Sequence, residues 1–354
     1  EISQPLSCTK YKIGSCFKEA ICSAYRAYDA ACIRPNGTRR ARIHYAMKAN
    51  SNLAVLDELK QLGAGFDLVS GGELARALQI GADPKSLVFA GVGKSSAEIE
   101  NALRAGVKCI NVESISELQR INTIAKTLGL RAPISLRVNP DVDAKTHAKI
   151  STGKKENKFG ISYERARAVY ARAATLEGIQ VSGIDMHIGS QITDLQPFED
   201  AFRLLRELVE TLRGDGHSID HVDVGGGLGI PYKDDNNPPP EPDAYARIVK
   251  DQLSSLNCRI VTEPGRLIVG NAGILVTEVI YVKDGGDKTF VIVDGAMNDL
   301  IRPTLYEAYH EIKPVVISAA SAPRIKADVV GPVCETGDYL ALDREMAMPK
   351  PGDL

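Results

Sequence analysis

The chain has 354 residues, 44% hydrophobic and 25% charged, with a net charge of −2. That describes a globular chain of about two domains with no general attraction to nucleic acid or anionic membrane. No apolar run reaches the ~18 residues of a membrane span, and the N-terminus has no basic, apolar and small-residue series of a secretory signal.

Residues 1–40 form an N-terminal segment of weak pattern, with a helix expected around Phe17–Ala31 and a turn at Pro35-Asn36-Gly37. From Arg42 the texture is regular. Short apolar runs at Ile43–Met47, Phe66–Val69, Leu87–Ala90, Cys109–Val112, Ile134–Val138, Val181–Met186, Val222–Val224 and Arg259–Thr262 read as strands. Between most of them apolar residues recur every three or four positions, as in helices: Leu53–Leu62, Gly72–Ile80, Ala97–Ala105, Ile115–Leu128, Tyr163–Thr175, Pro197–Leu212 and Ala244–Leu256. Such alternation predicts parallel strands with right-handed crossovers. A closed (β/α)8 TIM barrel over residues 41–270 is expected, with an open doubly wound sheet as the competitor. After Arg266 the helical pattern almost disappears. Ile274–Val282, Thr289–Val293, Val315–Ile317, Ile325–Val330 and Tyr339–Leu342 are strand-like. Residues 271–354 therefore read as a second, mostly β domain, barrel- or sandwich-like, partly joined by the N-terminal segment. The chain lacks an initiator Met and stops just where another strand is due, so a truncated β domain is expected.

In a (β/α)8 barrel, chemistry sits at the C-terminal ends of the strands. Here those ends carry Lys48; Asp67 and Ser70; Gly91-Val92-Gly93-Lys94; Glu113; Arg137 and Asn139; His187, Gly189, Ser190 and Gln191; Gly225-Gly226-Gly227; and Glu263-Pro264-Gly265-Arg266. Core packing does not explain such a set at one end. Three glycines let backbone N–H groups approach a phosphate, and this fold places phosphate sites after strands 7 and 8. A lysine, a phosphate cradle and a strand-end carboxylate together suggest pyridoxal 5'-phosphate. The lysine forms a Schiff base with the aldehyde, and Glu263 keeps the pyridine nitrogen protonated. The bland readings are a surface carboxylate for Glu263 and a satisfied core histidine for His187. His217 and His221 are four apart, but Gly214 and Gly216 argue against a helix there, so no metal site is expected. The basic run from Lys145 to Lys158 reads as a solvated loop over the barrel mouth. Seven cysteines, odd in number and without a C-x-x-C pair, suit reduced thiols and a cytoplasmic location.

Several motifs carry a family resemblance: Y-A-M-K-A-N at 45–50, S-G-G-E-L at 70–74, G-V-G-K at 91–94, H-I-G-S-Q at 187–191, G-G-G-L-G at 225–229, E-P-G-R at 263–266 and C-E-T-G-D at 334–338. Together they resemble the diaminopimelate decarboxylases, fold-type III pyridoxal-phosphate enzymes. The resemblance implies decarboxylation of meso-2,6-diaminopimelate to L-lysine and CO2, in a homodimer with shared active sites. It implies Lys48 as the Schiff-base lysine, and His187 stacked on the ring. Asp67, Ser190, Gly225, Gly226, Gly227, Glu263, Pro264, Gly265 and Arg266 would bind cofactor. Arg266, Arg302, Tyr306 and Glu335 would bind substrate, and Cys334 of a neighbouring subunit would donate a proton. The Arg302 region offers an arginine for a distal carboxylate, where a diamine-forming enzyme wants an acid. The family usually continues past Leu354 into a Gly-Ala-Tyr-like strand, and its loop motif differs at 146–156. The remaining readings are decarboxylation of ornithine, arginine or carboxynorspermidine, a catalytically silent regulator of the same fold, and a cofactor-free aldolase built on Lys48.

Overall fold

A computed structural model describes residues 14–31, 41–144, 146, 150–154, 156–233, 238–316 and 323–354. The chain forms two compact units, residues 1–230 with 239–272, and residues 231–238 with 273–354. The loop Pro231–Pro238, read from sequence as part of the barrel, groups with the second unit.

The first unit runs α1 (Ser15–Ala31), β1 (Ala41–Ala46), α2 (Leu53–Gln61), β2 (Gly65–Leu68), α3 (Gly71–Gln79), β3 (Leu87–Phe89), α4 (Ser96–Ala105), β4 (Cys109–Val112), α5 (Ile115–Thr127), β5 (Ala132–Asn139), β6 (Ile161–Ser162), α6 (Tyr163–Ala174), β7 (Ile179–Asp185), α7 (Gln196–Gly214), β8 (His221–Asp223), α8 (Pro242–Leu253), β9 (Arg259–Thr262) and α9 (Arg266–Val269). The parallel strands follow the order β4-β3-β2-β1-β9-β8-β7-β5, and β4 also pairs with β5. That last pairing closes an eight-stranded barrel and excludes the open sheet. β6 is a two-residue addition to β5. The described part of the N-terminal segment differs from expectation. α1 packs on α2, α8 and α9 of the barrel, burying Ile21, Cys22, Tyr25 and Tyr28, rather than joining the β unit.

Three successive strand-to-helix turns are built alike. Ser70, Ser95 and Ser114 accept the N–H of Glu73, Glu98 and Glu117 three residues on, capping α3, α4 and α5. The glutamates reach back, Glu73 to Val69 N–H, Glu98 to Ser95 N–H and Glu117 to Glu113 N–H. These S-x-x-E boxes fix sharp turns at the barrel mouth.

The barrel interior is polar as well as apolar. His44 and His221 are buried inside it. Gly65 and Gly183 on the neighbouring strands make room for the rings: a methyl at Gly183 would lie 2.4 Å from His221 Cε1. His221 Nε2 meets Ser135 Oγ at 2.9 Å, and Ser135 Oγ meets Cys109 Sγ at 3.1 Å. His217 lies apart, with its ring 5.8 Å from that of Tyr170.

The second unit holds β10 (Val279–Asp284), β11 (Thr289–Val293), α10 (Arg302–Tyr306), β12 (Arg324–Val330) and β13 (Tyr339–Ala347). They form one mixed sheet, antiparallel except at β11–β12, around Val291, Val293, Ala327, Val329 and Leu340. Two sequence expectations fail here. Residues 274–278 precede the strand and carry the exposed Ile274, Leu275 and Val276, and Val315 and Val316 sit in an exposed bend. Both runs are apolar but belong to no strand among the described residues, and Ile317 lies outside those. The short helix α10 was not anticipated, because five residues show too little periodicity.

Burial, with Lys108 and Arg259 nearby, pushes His221 down to about 3. The folded value is below the ordinary one, so stability is intact above pH ~6.5 and falls as pH drops toward 3, by about 1.4 kcal/mol per unit. His221→Gln should be less stable than wild type at pH 7.5, having lost a good bond to Ser135. That gap should shrink by about 2 kcal/mol at pH 5, as read from urea-unfolding midpoints.

Candidate active site

Lys48 follows β1 in a single 3₁₀ turn, Met47–Ala49. Its amine lies 3.1 Å from Asp67 Oδ2 of β2, with the lysine side chain 49% exposed and the aspartate fully enclosed. Desolvation works against the lysine's charge, but Asp67 and Glu263 outweigh it and hold the Lys48 pKa above its ordinary value.

Four adjacent strands set a charged row below this amine. Arg137 on β5 is in register with Asp185 on β7, and Asp185 with Asp223 on β8. Glu113 follows Val112, whose partner is Leu136, and so stands beside Arg137. Arg137 Nη1 donates to Glu113 Oε1 at 2.9 Å, and Nε lies 4.0 Å from Asp185 Oδ2. Glu263, just past β9, completes a group in which Asp185, Asp223 and Glu263 oxygens lie within 4.8 Å of one another. Burial is the first cause that raises all three above the usual carboxylate range, Asp223 to about 6; repulsion from Asp223 comes second for Asp185 and Glu263. Buried carboxylates so close cannot all be charged without cations. Asp67 Oδ1, Asp185 Oδ1, Asp223 Oδ2, Glu263 Oε1 and Arg137 Nη2 are buried without a hydrogen-bond partner.

The Gly225–Gly227 turn is forced by its neighbours as much as by any ligand. A methyl on Gly226 would stand 2.2 Å from Glu263 O, and one on Gly227 2.3 Å from Gly189 O. Gly225 and Gly227 have φ of 64° and 108°, in the left-handed region that favours glycine. The N–H of Gly225 donates to Asp223 Oδ1, and that of Gly226 to His187 Nδ1 at 3.2 Å. That bond assigns the His187 proton to Nε2. Burial, then Arg137 and Lys48, hold His187 well below its ordinary value, so it is neutral. Pro264 O accepts the Ala46 N–H, tying the Glu263 turn to the strand that carries Lys48. A Cβ on Gly265 would lie 3.1 Å from Ala49 Cβ. Ser190 N–H donates to Ile150 O, and Thr152 Oγ1 to His187 O, so residues 150–152 brace the His187 turn. Lys145, His147, Ala148, Lys149 and Lys155 of the basic run lie outside the described residues.

Two residues were misjudged from sequence. Lys94 is a strand-end lysine like Lys48, yet it is enclosed and donates to Gly91 O, Asn111 O and Glu117 Oε1, each at 2.7 Å. It ties two loops together and is not available for chemistry. Gln191, passed over as a site residue, bonds Ile230 through both ends of its amide and accepts from Arg266 Nη1 at 3.2 Å. Its φ of 55° was the one local oddity, and sequence does not show it.

In the β unit the remaining residues gather at one end. Asp338 of C-E-T-G-D is buried and accepts the N–H groups of Met297 and Val333. Thr304 donates to Gly337 O, and Tyr339 Oη to Pro303 O. These bonds fasten α10, with Arg302 and Tyr306, to the turn bearing the exposed Cys334 and Glu335. The Arg302 guanidinium sits 4.3 Å over the Tyr232 ring and meets His310 Nε2 at 2.8 Å.

The lysine, the strained glycine turn, and buried oxygens and a guanidinium nitrogen without partners fit a group that brings an aldehyde, a phosphate and a basic ring nitrogen. The comparisons agree. Residues 19–270 match the pyridoxal-dependent decarboxylase, pyridoxal binding domain family. The chain is 53% identical to a diaminopimelate decarboxylase of Pseudomonas aeruginosa over 331 residues, 93% of this chain and 77% of that protein. It is 49% identical to that of Neisseria meningitidis serogroup B over 95% of this chain and 79% of the relative. The crystal structure of diaminopimelate decarboxylase from Helicobacter pylori complexed with L-lysine is similar, with a TM-score of 0.89, 42% identity, and coverage of 95% of this chain and 82% of that one. A lysine/ornithine decarboxylase of Vibrio vulnificus shares the fold at 21% identity. By these matches and this site, the chain belongs to the diaminopimelate decarboxylase family of pyridoxal-dependent decarboxylases.

Proposed function

We propose that this chain converts meso-2,6-diaminopimelate to L-lysine and CO2, the last step of lysine biosynthesis, with pyridoxal 5'-phosphate at the barrel mouth. The observation that carries the reading is the meeting of Lys48, the Gly225–Gly227 turn and the unpartnered oxygen of Glu263 at neighbouring strand ends. When bound, the cofactor supplies an electron-withdrawing ring that stabilises negative charge on the substrate's α carbon.

The protein's own part is positioning and proton control. Lys48 holds the cofactor, and Asp67 fixes where its amine stands. Glu263 faces the ring nitrogen, and a cationic nitrogen there relieves the crowding of Asp223, Asp185 and Glu263. His187, neutral and held on Gly226 N–H, offers a flat uncharged face to the ring. Ser190, Gly225, Gly226, Gly227, Gly265 and Arg266 hold the phosphate end, with Pro264 locking their turn to β1. Arg302, seated on Tyr232, binds the distal carboxylate, with Arg266, Tyr306 and Glu335 as further substrate contacts. These substrate-binding groups would hold the α-carboxylate in the orientation that lets the cofactor take its electrons. Cys334 donates the proton that replaces the lost carboxylate, reaching the site together with Glu335 from a second copy in a homodimer. Cys16, Cys22, Cys109 and Cys334 stand as thiols, as a cytoplasmic enzyme would keep them.

Relative kcat/KM for meso-2,6-diaminopimelate against ornithine, arginine and carboxynorspermidine tests the substrate, and a preference for any of the latter three sinks the assignment. Lys48→Ala should abolish both activity and the visible absorbance that pyridoxal phosphate gives wild type; a fully active variant would refute the scheme. Cys334→Ala should lower kcat about 10²- to 10⁴-fold, the range of a lost general acid. If sites are shared, an equimolar mixture of Lys48→Ala and Cys334→Ala subunits regains about a quarter of wild-type activity, from hybrids with one intact site in two. No regain after re-equilibration would refute shared sites.

A further inference from the structure

The guanidinium of Arg137 stands in the charged row itself, in register with Asp185. Glu113 takes its Nη1. The ring of Phe159 covers its flat face at 4.8 Å. Glu113 Oε2 accepts the Gly160 N–H at 2.8 Å, so the same short segment fixes both partners of the pair. The side chain is only 9% exposed, and Nη2 is buried with no acceptor. Leaving a buried charged donor unpaired is costly. Core side chains do not supply the missing acceptor, although the row holds carboxylate oxygens that also lack partners. Arg137 is in register with Asp185, its Nε 4.0 Å from Asp185 Oδ2, and its charge acts on Lys48, His187 and Glu263, the groups assigned to the cofactor.

We propose that Arg137 Nη2 is a binding donor of this site, completed by an anionic oxygen that arrives with the cofactor or the substrate. The chemistry is a charge-assisted N–H···O⁻ bond from a preoriented guanidinium. Two sources carry such an oxygen. One is the ring oxygen beside the cofactor's aldehyde carbon. The residues proposed to hold the phosphate lie after β7, β8 and β9, and Arg137 stands on β5, two strands from β8 and three from β9. The other is the carboxylate of the substrate. Glu113 is a positioning residue in either case: it takes Nη1 and thereby turns Nη2 toward the cavity.

This inference rests on the cofactor reading, and the test separates the two. Wild type, Arg137→Met, Arg137→Lys and Glu113→Gln are titrated with pyridoxal 5'-phosphate, following visible absorbance and its pH dependence without substrate. KM for meso-2,6-diaminopimelate is then measured. If wild type itself gives no absorbance, the cofactor reading fails. With the ring oxygen as partner, Arg137→Met weakens cofactor binding at least tenfold and moves the midpoint of the absorbance titration by a pH unit or more. Arg137→Lys restores part of both, and Glu113→Gln, which keeps the donor, moves the midpoint much less. With the carboxylate as partner, the spectrum is unchanged and KM rises at least tenfold in Arg137→Met. Either pattern supports the donor. If cofactor affinity, spectrum and KM all stay within twofold of wild type, the proposal is overturned. Should Arg137→Met fail to fold because Glu113 is left unpaired, the double variant Glu113→Gln/Arg137→Met removes both charges, and the same readings apply to it.

Discussion

Closure of β4 onto β5 is the constraint on which the site depends. A closed ring turns every second side chain of every strand into one shared interior. In this barrel the upper part of that interior is filled with carboxylates and very few cations. Asp67, Glu113, Asp185, Asp223 and Glu263 are all buried, and among the described residues the cations that act on them include Arg137, the half-exposed Lys48 and Lys108 near Asp223. A hydrocarbon core of the same shape would be simpler to stabilise. The charged one leaves polarity that the protein by itself does not satisfy, and this is the property a tightly held polar cofactor can use.

The charge imbalance also sets protonation states. Glu263 cannot behave as a surface carboxylate, because burial and then Asp223, Asp67 and Asp185 push it toward its neutral form. Lys48 goes the other way, since Asp67 and Glu263 together outweigh its desolvation and favour the ammonium. A carboxyl inclined to be neutral and an amine inclined to be charged lie within one electrostatic field. Any group that places a cation beside Glu263 shifts both. The coupling arises from strand register, which sets Arg137, Asp185 and Asp223 side by side.

The barrel was legible in sequence because its strands are short apolar runs separated by helices with strong periodicity, and β4 and β9 fall where the pattern puts them. The candidate residues at the barrel mouth were legible as a group because one fold rule collects strand ends into a single mouth. Other features were not. The β unit has few partners per residue, so exposed apolar stretches such as Ile274–Val276 looked like strands when nothing pairs with them. The N-terminal helix α1 offered a single amphipathic face with no clue to its partner, and it covers barrel helices. Gln191 and Arg137 owe their roles to hydrogen bonds with residues tens of positions away, which no local pattern carries.

Lys48 and Lys94 show what local wiring adds to position. Each follows a barrel strand, and each lies in a motif with glycine or alanine beside it. Lys94 has all three of its ammonium protons placed, on two carbonyls and one glutamate, within an enclosed loop. Lys48 has one carboxylate partner at 3.1 Å and a side chain open over half its surface. The S-x-x-E cap on α5 makes the difference at Lys94. Glu117 reaches back to the Glu113 N–H with one oxygen and takes the lysine with the other, so the charge is absorbed into the turn. At the end of β1 no such box exists: α2 is capped by Asn52, whose side chain serves Ala54 N–H and reaches no lysine. Lys48, the lysine proposed to hold the cofactor, is thus the one whose following helix starts with an asparagine instead of a serine–glutamate pair. Its amine bonds the buried Asp67 on the next strand.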